Sequence, residues 1–163
     1  MSSIFRVLTC WTADPVLGKV EKSSLSHNVL VELFVDGLTD NCKEDLRLPP
    51  DIQADGCSWY GVNTNEDGEV VDIEWQRSDI EGALNFRWLP ETLWTLFLDG
   101  NALEGTIDFT ALPRALVRFY IDRNSFSGEA DLTRLPASLE DLDIYRNKFH
   151  GPINLTALPS GLI

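Results

Sequence analysis

The sequence lacks the features that mark membrane-spanning and disulfide-stapled proteins. No run of 18 apolar residues occurs in its 163 residues, so no transmembrane helix is predicted. The N-terminal stretch MSSIFRVLTCWTADP contains no continuous apolar segment of the kind found in a secretory signal. The three cysteines, Cys10, Cys42 and Cys57, show no CxxC spacing and predict neither a closed disulfide framework nor a zinc site. The compartment stays open, with a cytoplasmic or other intracellular location favoured.

Basic residues and catalytic motifs are also scarce. The chain has 13 Lys and Arg against 26 Asp and Glu, a formal charge of −13, which disfavours nucleic acid and anionic lipid as partners. The sequence contains no GxSxG, HExxH, P-loop or GxGxxG pattern, and its two histidines, His27 and His150, lie far apart in the chain. We therefore predict no catalytic residues, no enzymatic activity and no cofactor. The apolar fraction of 44% is nevertheless sufficient for a folded core.

What the chain does have is an internal repeat. The dipeptide Leu-Pro recurs every 23 residues, at Leu89, Leu112, Leu135 and Leu158. The three units read LPETLWTLFLDGNALEGTIDFTA, LPRALVRFYIDRNSFSGEADLTR and LPASLEDLDIYRNKFHGPINLTA. Each carries the pattern LxxLxLxxNxLxG, with Phe or Ile at some Leu positions, and therefore resembles the leucine-rich repeat family. The resemblance implies an α/β fold: a short solenoid with parallel strands on its concave face, an extended or 3₁₀ convex side as in plant-type repeats, and a helical N-terminal cap.

The repeated positions each have a structural role. Alternating apolar residues point into the core because strand side chains alternate, and one unit cannot bury that face alone, so neighbouring units must stack. The glycines Gly105, Gly128 and Gly151 predict a bend with a positive φ. An asparagine amide can satisfy backbone groups that the bend leaves unpaired. We therefore predict a structural ladder with these members: Ser78, Asn101, Asn124 and Asn147.

The segment NTNEDGEVVDIE, residues 63–74, has two interpretations. In the first, the segment is an EF-hand calcium loop whose ligand positions hold Asn63, Asn65, Asp67, Glu69 and Glu74. In the second, NEDG is a turn that leads into a strand. Counting back 23 residues from the first regular unit reaches apolar residues in phase with the repeat, namely Val70, Ile73 and Trp75. Because the preceding GCSWYGV is also a poor helix, we prefer the turn and strand.

Upstream of the repeats, the sequence predicts a cap. HNVLVELFVDGL, residues 27–38, has the apolar spacing of an amphipathic helix. A loop and then CSWYGV, residues 57–62, follow, an order that resembles the N-terminal cap of plant-type and related protist repeat proteins. The resemblance implies that Trp59 covers the open end of the first coil and that Gly61 permits a close turn.

One detail departs from that family pattern. The family usually bridges the first cap cysteine to a second, whose place is taken here by Thr64, so Cys57 lacks its family partner and Cys42 stays open as an alternative. A second detail is that Asn154-Leu155-Thr156 forms a glycosylation sequon. It occupies the same columns as Asp108-Phe109-Thr110 and Asp131-Leu132-Thr133, so we interpret it as part of the repeat.

These patterns divide the chain into two regions. Residues 1–69 are the N-terminal segment and cap, and residues 70–163 are the repeats. The repeat units are 70–92, which is degenerate, then 93–115, 116–138 and 139–161, followed by a truncated unit. Because LPSGLI stops where the next strand should begin, we expect an open C-terminal edge capable of end-to-end self-association.

The outward positions of the predicted concave strands contain residue types that are enriched at protein interfaces. Adjacent strands lie about 4.8 Å apart, so residues 23 apart in the chain are side by side. We predict that a protein or peptide ligand binds these residues: Trp94, Phe97, Asp99, Arg118, Tyr120, Asp122, Arg123, Tyr145 and Arg146. The chain is thus predicted to be a non-catalytic interaction module. The alternatives are a structural subunit that docks through its open edge, and a calcium-dependent module.

Overall fold

The helices and strands follow the 23-residue period from the cap onward. The computed structural model describes residues 21–49 and 58–163. Its helices are α1 (His27–Phe34) and α2 (Asp40–Leu46), and no helix in this part is long and apolar enough to cross a membrane. The strands are β1 (Val62–Thr64), β2 (Val70–Glu74), β3 (Glu81–Ala83), β4 (Thr95–Phe97), β5 (Ala102–Thr106), β6 (Arg118–Tyr120), β7 (Ser125–Glu129), β8 (Asp141–Asp143) and β9 (Lys148–His150). Short 3₁₀ turns lie at Lys22–Ser24, Phe86–Trp88, Phe109–Ala111 and Leu132–Arg134.

Each unit of the repeat contributes one strand to each of two sheets. The five-stranded sheet has the order β1-β2-β4-β6-β8, and the four-stranded sheet has the order β3-β5-β7-β9. From β2 to β8 all neighbours in the first sheet are parallel, and Ile73 lies opposite Leu96, which lies opposite Phe119. The predicted parallel strands, and the extended or 3₁₀ return segments, are both confirmed.

Aromatic rings join the cap to the repeats inside the core. The ring of Phe86 makes edge-to-face contacts with Phe34 of α1 and with Phe119 and Phe126 of the unit 116–138, at centroid distances of 5.7, 6.1 and 5.8 Å. Such pairs contribute about 0.5–1.5 kcal/mol each beyond the area they bury. One return segment therefore couples three parts of the fold.

A polar turn recurs on each return segment. The side chains of Asp108 and Asp131 accept hydrogen bonds from the backbone N of the threonine two residues later, at 2.9 and 3.0 Å. Asn154 makes the same bond to Thr156 N at 2.9 Å. The sequon therefore has the geometry of the repeat, as its phase predicts.

The cap differs from the sequence prediction in its helices. The helix predicted over residues 27–38 ends at Phe34, because the chain must turn for Leu38 to pair with Gly82 in an antiparallel bridge. That approach is so close that a Cβ at Gly82 would lie 2.6 Å from the carbonyl oxygen of Gly37. The predicted loop contains a second helix, α2, whose N-cap Thr39 accepts from the backbone N of Cys42. The predicted helix was too long because the apolar spacing continues to residue 38, whereas tertiary contacts impose a turn after Phe34.

Other cap features follow the resemblance. Trp59 is buried in the core cluster beneath the guanidinium of Arg47, which lies 5.0 Å from its ring centroid. Gly61 has a φ of 67°. Cys42 is buried, and its Sγ accepts from the backbone N of Glu81 at 3.4 Å. The predictions that concern Cys10 and Cys57 lie outside the described residues.

The segment 63–74 is a β-hairpin. β1 and β2 pair in antiparallel fashion, with Asn63 opposite Asp72. The side-chain oxygen of Asn65 accepts from the backbone N atoms of Asp67 and Glu69, both at 3.0 Å, which closes the turn between the strands. Strands therefore lie where an EF-hand needs helices, and the turn-and-strand interpretation is correct.

At the other end of the five-stranded sheet, β8 is the last strand in the described part of the chain. The backbone N of Ile163 donates to the carbonyl oxygen of Glu140 at 2.9 Å, and Leu162 packs against the core. One carbonyl beside the edge strand is therefore already paired within the chain. End-to-end association through this edge stays a prediction.

Candidate partner-binding face

The asparagines of the repeat tie each coil to the one before it. Asn124 Nδ2 donates to the carbonyl oxygens of Leu98 and Ile121 at 2.8 and 3.1 Å, and its Oδ1 accepts from Leu103 N at 3.0 Å. The corresponding bonds recur at the two other asparagines, Asn101 and Asn147. Backbone groups therefore occupy the donor hydrogens of each amide and at least one lone pair of its oxygen, as the predicted structural role requires.

The first position of this column is different. Ser78 has a side chain too short to span two coils, and its Oγ donates to the carbonyl oxygen of Gln76 at 3.2 Å. Its backbone N donates to Asn101 Oδ1 at 3.0 Å. A backbone N–H of the first coil is therefore satisfied by the asparagine of the next coil.

A column of positive φ borders the outer face of the five-stranded sheet. The residues after the strands, Arg77, Gly100, Arg123 and Arg146, have φ values of 51°, 70°, 52° and 53°. Such values are uncommon outside glycine because they bring Cβ close to the following carbonyl oxygen. The hydrogen bond from Arg123 N to the carbonyl oxygen of Tyr145, at 2.9 Å, helps to hold the conformation. In the sequence this backbone constraint is indicated only by Gly100.

Four residues lie side by side across the middle of that outer face. Strand register places Glu74 beside Phe97, Phe97 beside Tyr120, and Tyr120 beside Asp143. The two rings are stacked, with centroids 4.7 Å apart and planes 17° from parallel. We call Glu74, Phe97, Tyr120 and Asp143 the central row. The two carboxylates were not in the predicted binding set, although their 23-residue spacing from the aromatic residues shows their place.

The other two predicted aromatic residues lie apart from the stack. Trp94 directly precedes β4 and Tyr145 follows β8, and their side chains are 59% and 63% exposed. The guanidinium of Arg146 lies 5.4 Å from the ring centroid of Tyr145. Within residues 21–49 and 58–163, no ring contact joins either Trp94 or Tyr145 to the Phe97–Tyr120 pair. The predicted aromatic patch is therefore a central stack with two separate exposed rings.

The arginines of this face have partners on the face itself. Arg118 Nε lies 3.9 Å from Asp141 Oδ2. A nitrogen of the Arg123 guanidinium lies 3.3 Å from an oxygen of Asp122. With Arg146 over the ring of Tyr145, all three predicted arginines contact a neighbouring side chain.

The carboxylates of the face are less well compensated. No ion pair joins Glu74, Asp99 or Asp143 to a cation in the described part of the chain. Burial raises the pKa of Asp122, and the nearby carboxylates of Asp143 and Asp99 raise it further, against the opposing effect of Arg123. Asp122 is only 7% exposed, so of the predicted acidic residues Asp99 is the more accessible. Negative charge therefore dominates around the stack.

A groove with a volume of about 620 Å³ lies beside the end of α1. Asp36, Arg87 and Asp108 are its charged lining residues. In the described residues, no group of three or more His, Cys, Asp or Glu could hold a metal ion. His27 Nδ1 accepts a hydrogen bond from Val70 N at 2.9 Å, which ties α1 to β2.

Solved structures of other proteins resemble this architecture. Neither a family model nor a curated protein matches the chain. The BIR2 ectodomain from Arabidopsis thaliana matches with a TM-score of 0.62 and 20% identity, over 76% of this chain and 69% of that one. The BIR3–SERK2 complex from Arabidopsis thaliana matches with a TM-score of 0.55 and 21% identity, over 74% and 68% of the two chains.

A third similar structure is the LRR ectodomain of the plant membrane receptor kinase GASSHO1/SCHENGEN3 from Arabidopsis thaliana, in complex with CASPARIAN STRIP INTEGRITY FACTOR 2. Its TM-score is 0.52 at 19% identity, and the match covers 78% of this chain but 19% of that one. At these identities the similarity concerns the fold. Together with the 23-residue repeat and the stacked parallel strands, it shows that the chain has the leucine-rich-repeat fold.

Proposed function

We propose that the protein binds a protein or peptide ligand through the outer face of the five-stranded sheet, the face that the sequence predicts to be concave, and that it catalyses no reaction. The observation that carries this proposal is the Phe97–Tyr120 stack. Both rings lie on the outer face and outside the buried core of the described residues. Stacked aromatic rings provide a large, rigid contact area that loses little conformational entropy on binding.

The structural neighbours support the same class of function. BIR3 was crystallised in complex with SERK2, and GASSHO1/SCHENGEN3 in complex with CASPARIAN STRIP INTEGRITY FACTOR 2. Proteins of this fold therefore have precedents as members of complexes. The ladder asparagines bond to backbone groups, and the arginines contact neighbouring side chains of the face. The central row is therefore the part of the face most available to a ligand.

The test is to compare ligand capture by the wild-type chain with capture by single variants. Tyr120→Ala should weaken binding of a captured partner by about 1–4 kcal/mol, because the variant removes half of the stack. Arg114→Ala is the control, because Arg114 is exposed on a return segment between a 3₁₀ turn and β6. Affinity would be measured by titration calorimetry, with a melting curve for each variant. Equal losses from both substitutions would contradict the proposal.

A further inference from the structure

The two rings of the central row each have one face available to a ligand. Because Phe97 and Tyr120 stack on each other, the opposite face of Phe97 is directed toward the position of Glu74, and that of Tyr120 toward Asp143. An aromatic face is electron-rich and attracts cations within about 6 Å of the ring centroid. A carboxylate on the next strand adds a full negative charge to the same place. Each end of the row thus combines two groups that attract a cation.

The charges around the row favour a basic ligand over an acidic one. The three arginines of the face already contact Asp141, Asp122 and the ring of Tyr145. Glu74, Asp99 and Asp143 have no cationic partner in the described part of the chain. The sequence as a whole has a formal charge of −13, so its long-range field attracts cationic ligands and repels polyanions.

We propose that the ligand is an extended basic segment of a partner protein that places two cationic side chains on the central row. One lies between Glu74 and Phe97, and the other lies between Tyr120 and Asp143. This proposal rests on the proposed binding function of the same face. Arginine fits these ends better than lysine, because its planar guanidinium stacks on a ring and pairs with a carboxylate at the same time.

The geometry also specifies a spacing. The two cation positions, one between Glu74 and Phe97 and the other between Tyr120 and Asp143, are separated by two strand-to-strand steps, which corresponds to about 10 Å. A chain in the extended polyproline II conformation advances about 3.1 Å per residue, so three residues cover roughly that distance. This conformation has three residues per turn, so side chains three residues apart point to the same side. The inferred motif is therefore Arg-x-x-Arg in an extended, polyproline II-like conformation that crosses the strands.

An unbiased selection tests the chemistry of the ligand. A random-peptide phage library would be panned on the wild-type chain, with depletion on the Phe97→Ala/Tyr120→Ala variant to remove peptides that bind elsewhere. Enrichment of peptides with two basic residues three positions apart is the expected result. Enrichment of acidic or uncharged peptides would overturn the basic-ligand proposal while leaving the binding face in place. The absence of any peptide that depends on Phe97 and Tyr120 would overturn both proposals.

A defined peptide series then tests the two ends of the row. Fluorescein-labelled Gly/Ser/Thr peptides with two arginines spaced by two, three or five residues would be titrated by fluorescence polarisation. The spacing of three should bind most tightly, and Glu74→Gln or Asp143→Asn should each weaken its binding about two- to fivefold. The Asn at position 143 keeps an acceptor oxygen for Tyr145 N, which bonds to Asp143 at 3.0 Å, so the fold is preserved.

The matched control is Glu104→Gln, because Glu104 is exposed on the four-stranded sheet. It removes the same charge from the chain and should leave the affinity unchanged. Raising the salt concentration should weaken binding to the wild type more than to Glu74→Gln. If Glu104→Gln weakens binding as much as Glu74→Gln does, or if the three spacings bind equally, the two-site geometry is wrong.

Discussion

Two columns of the repeat recur at the same 23-residue spacing and yet differ in kind. The ladder column contains asparagine in every regular unit, at positions 101, 124 and 147, whereas the central row contains Glu, Phe, Tyr and Asp. Each ladder side chain completes the backbone of two coils, so another residue would leave buried groups unpaired. The backbone bonds of the central row are made within the sheet whatever the side chain is. Uniformity within the chain therefore marks scaffold, and variation marks the surface available to a partner.

The largest expected effect on stability comes from the ladder. Asn124→Ala should lower the free energy of unfolding by about 1–3 kcal/mol, because the amide N of Leu103 loses its side-chain partner and the carbonyl oxygen of Leu98 keeps only the bond from Asn101. Urea denaturation followed by circular dichroism measures this change. Asn85→Ala is the control, since Asn85 is exposed and its side chain makes no capping bond, and its effect should stay within about 0.5 kcal/mol. If Asn124→Ala were as stable as the wild type, the ladder column could not be called scaffold, and it would not differ from the central row in this respect.

A smaller effect is expected from the central row. Tyr120→Ala should lower stability by about 0.5–1.5 kcal/mol through loss of the ring stack, while its effect on ligand affinity is larger. Tyr120→Phe keeps the stack and should melt like the wild type. Parallel measurement of unfolding and binding checks the separation. A stability loss in Tyr120→Ala that equals the loss in Asn124→Ala would show that the row is part of the scaffold.

The column of residues with positive φ combines properties of the ladder column and the central row. Its backbone conformation is constrained, as in the ladder, and yet its residue type varies, as in the row. Arg123→Gly should raise the free energy of unfolding by roughly 0.5–1 kcal/mol, because glycine adopts a φ of 52° without steric cost. Arg118→Gly, in the strand β6, should lower it by a similar amount, since glycine there only gains freedom in the unfolded chain. Denaturant midpoints of the pair give the two signs. A decrease for both would mean that the Asp122–Arg123 pair matters more than the backbone.

The smallest effect concerns the carboxylates. The pKa of Asp122 is raised in the fold by burial and by Asp143 and Asp99, so its charged form is less favourable in the folded than in the unfolded chain. The contribution of Asp122 to stability is therefore fully present when the pH is below its pKa in the unfolded chain. It is lost as the pH rises through its pKa in the folded chain. Asp122→Asn should be slightly more stable than the wild type at neutral pH, and this difference should shrink as the pH falls.

Asp131→Asn is the control of opposite sign. Hydrogen bonds from the hydroxyl and backbone N of Thr133 lower the pKa of Asp131, so its contribution is present above the unfolded pKa and lost as the pH falls through the folded one. This variant should be slightly less stable than the wild type at neutral pH. The loss is small because Asn154 makes the same turn with an amide. Thermal melts from neutral to acidic pH would follow both variants, and equal signs would contradict the assignment.

The sequence predicts this molecule well where one local pattern repeats. The inward columns, the asparagine positions and the return segments follow from the 23-residue period, because each unit packs on a nearly identical neighbour. The end of α1 and the presence of α2 could not be predicted, since the contact of Leu38 with Gly82 decides where the helix stops. The positive φ of Arg123 could not be predicted, because an arginine in the sequence does not indicate a left-handed backbone conformation. The burial of Asp122 depends on neighbours from other coils.

The direction of the ladder bonds has a consequence for how such chains change length. Asn101 donates to the carbonyl oxygen of Trp75, and Asn124 donates to that of Leu98, so each asparagine makes the same connection one unit further along. Excision of residues 101–123 would join Gly100 to Asn124 and give Asn124 the partners that Asn101 has now. Phe97 would then face Asp143 directly. Gain or loss of a whole unit therefore changes the residues of the proposed binding face while leaving the backbone bonding pattern intact, which makes copy number a route to new specificity if that face binds a ligand.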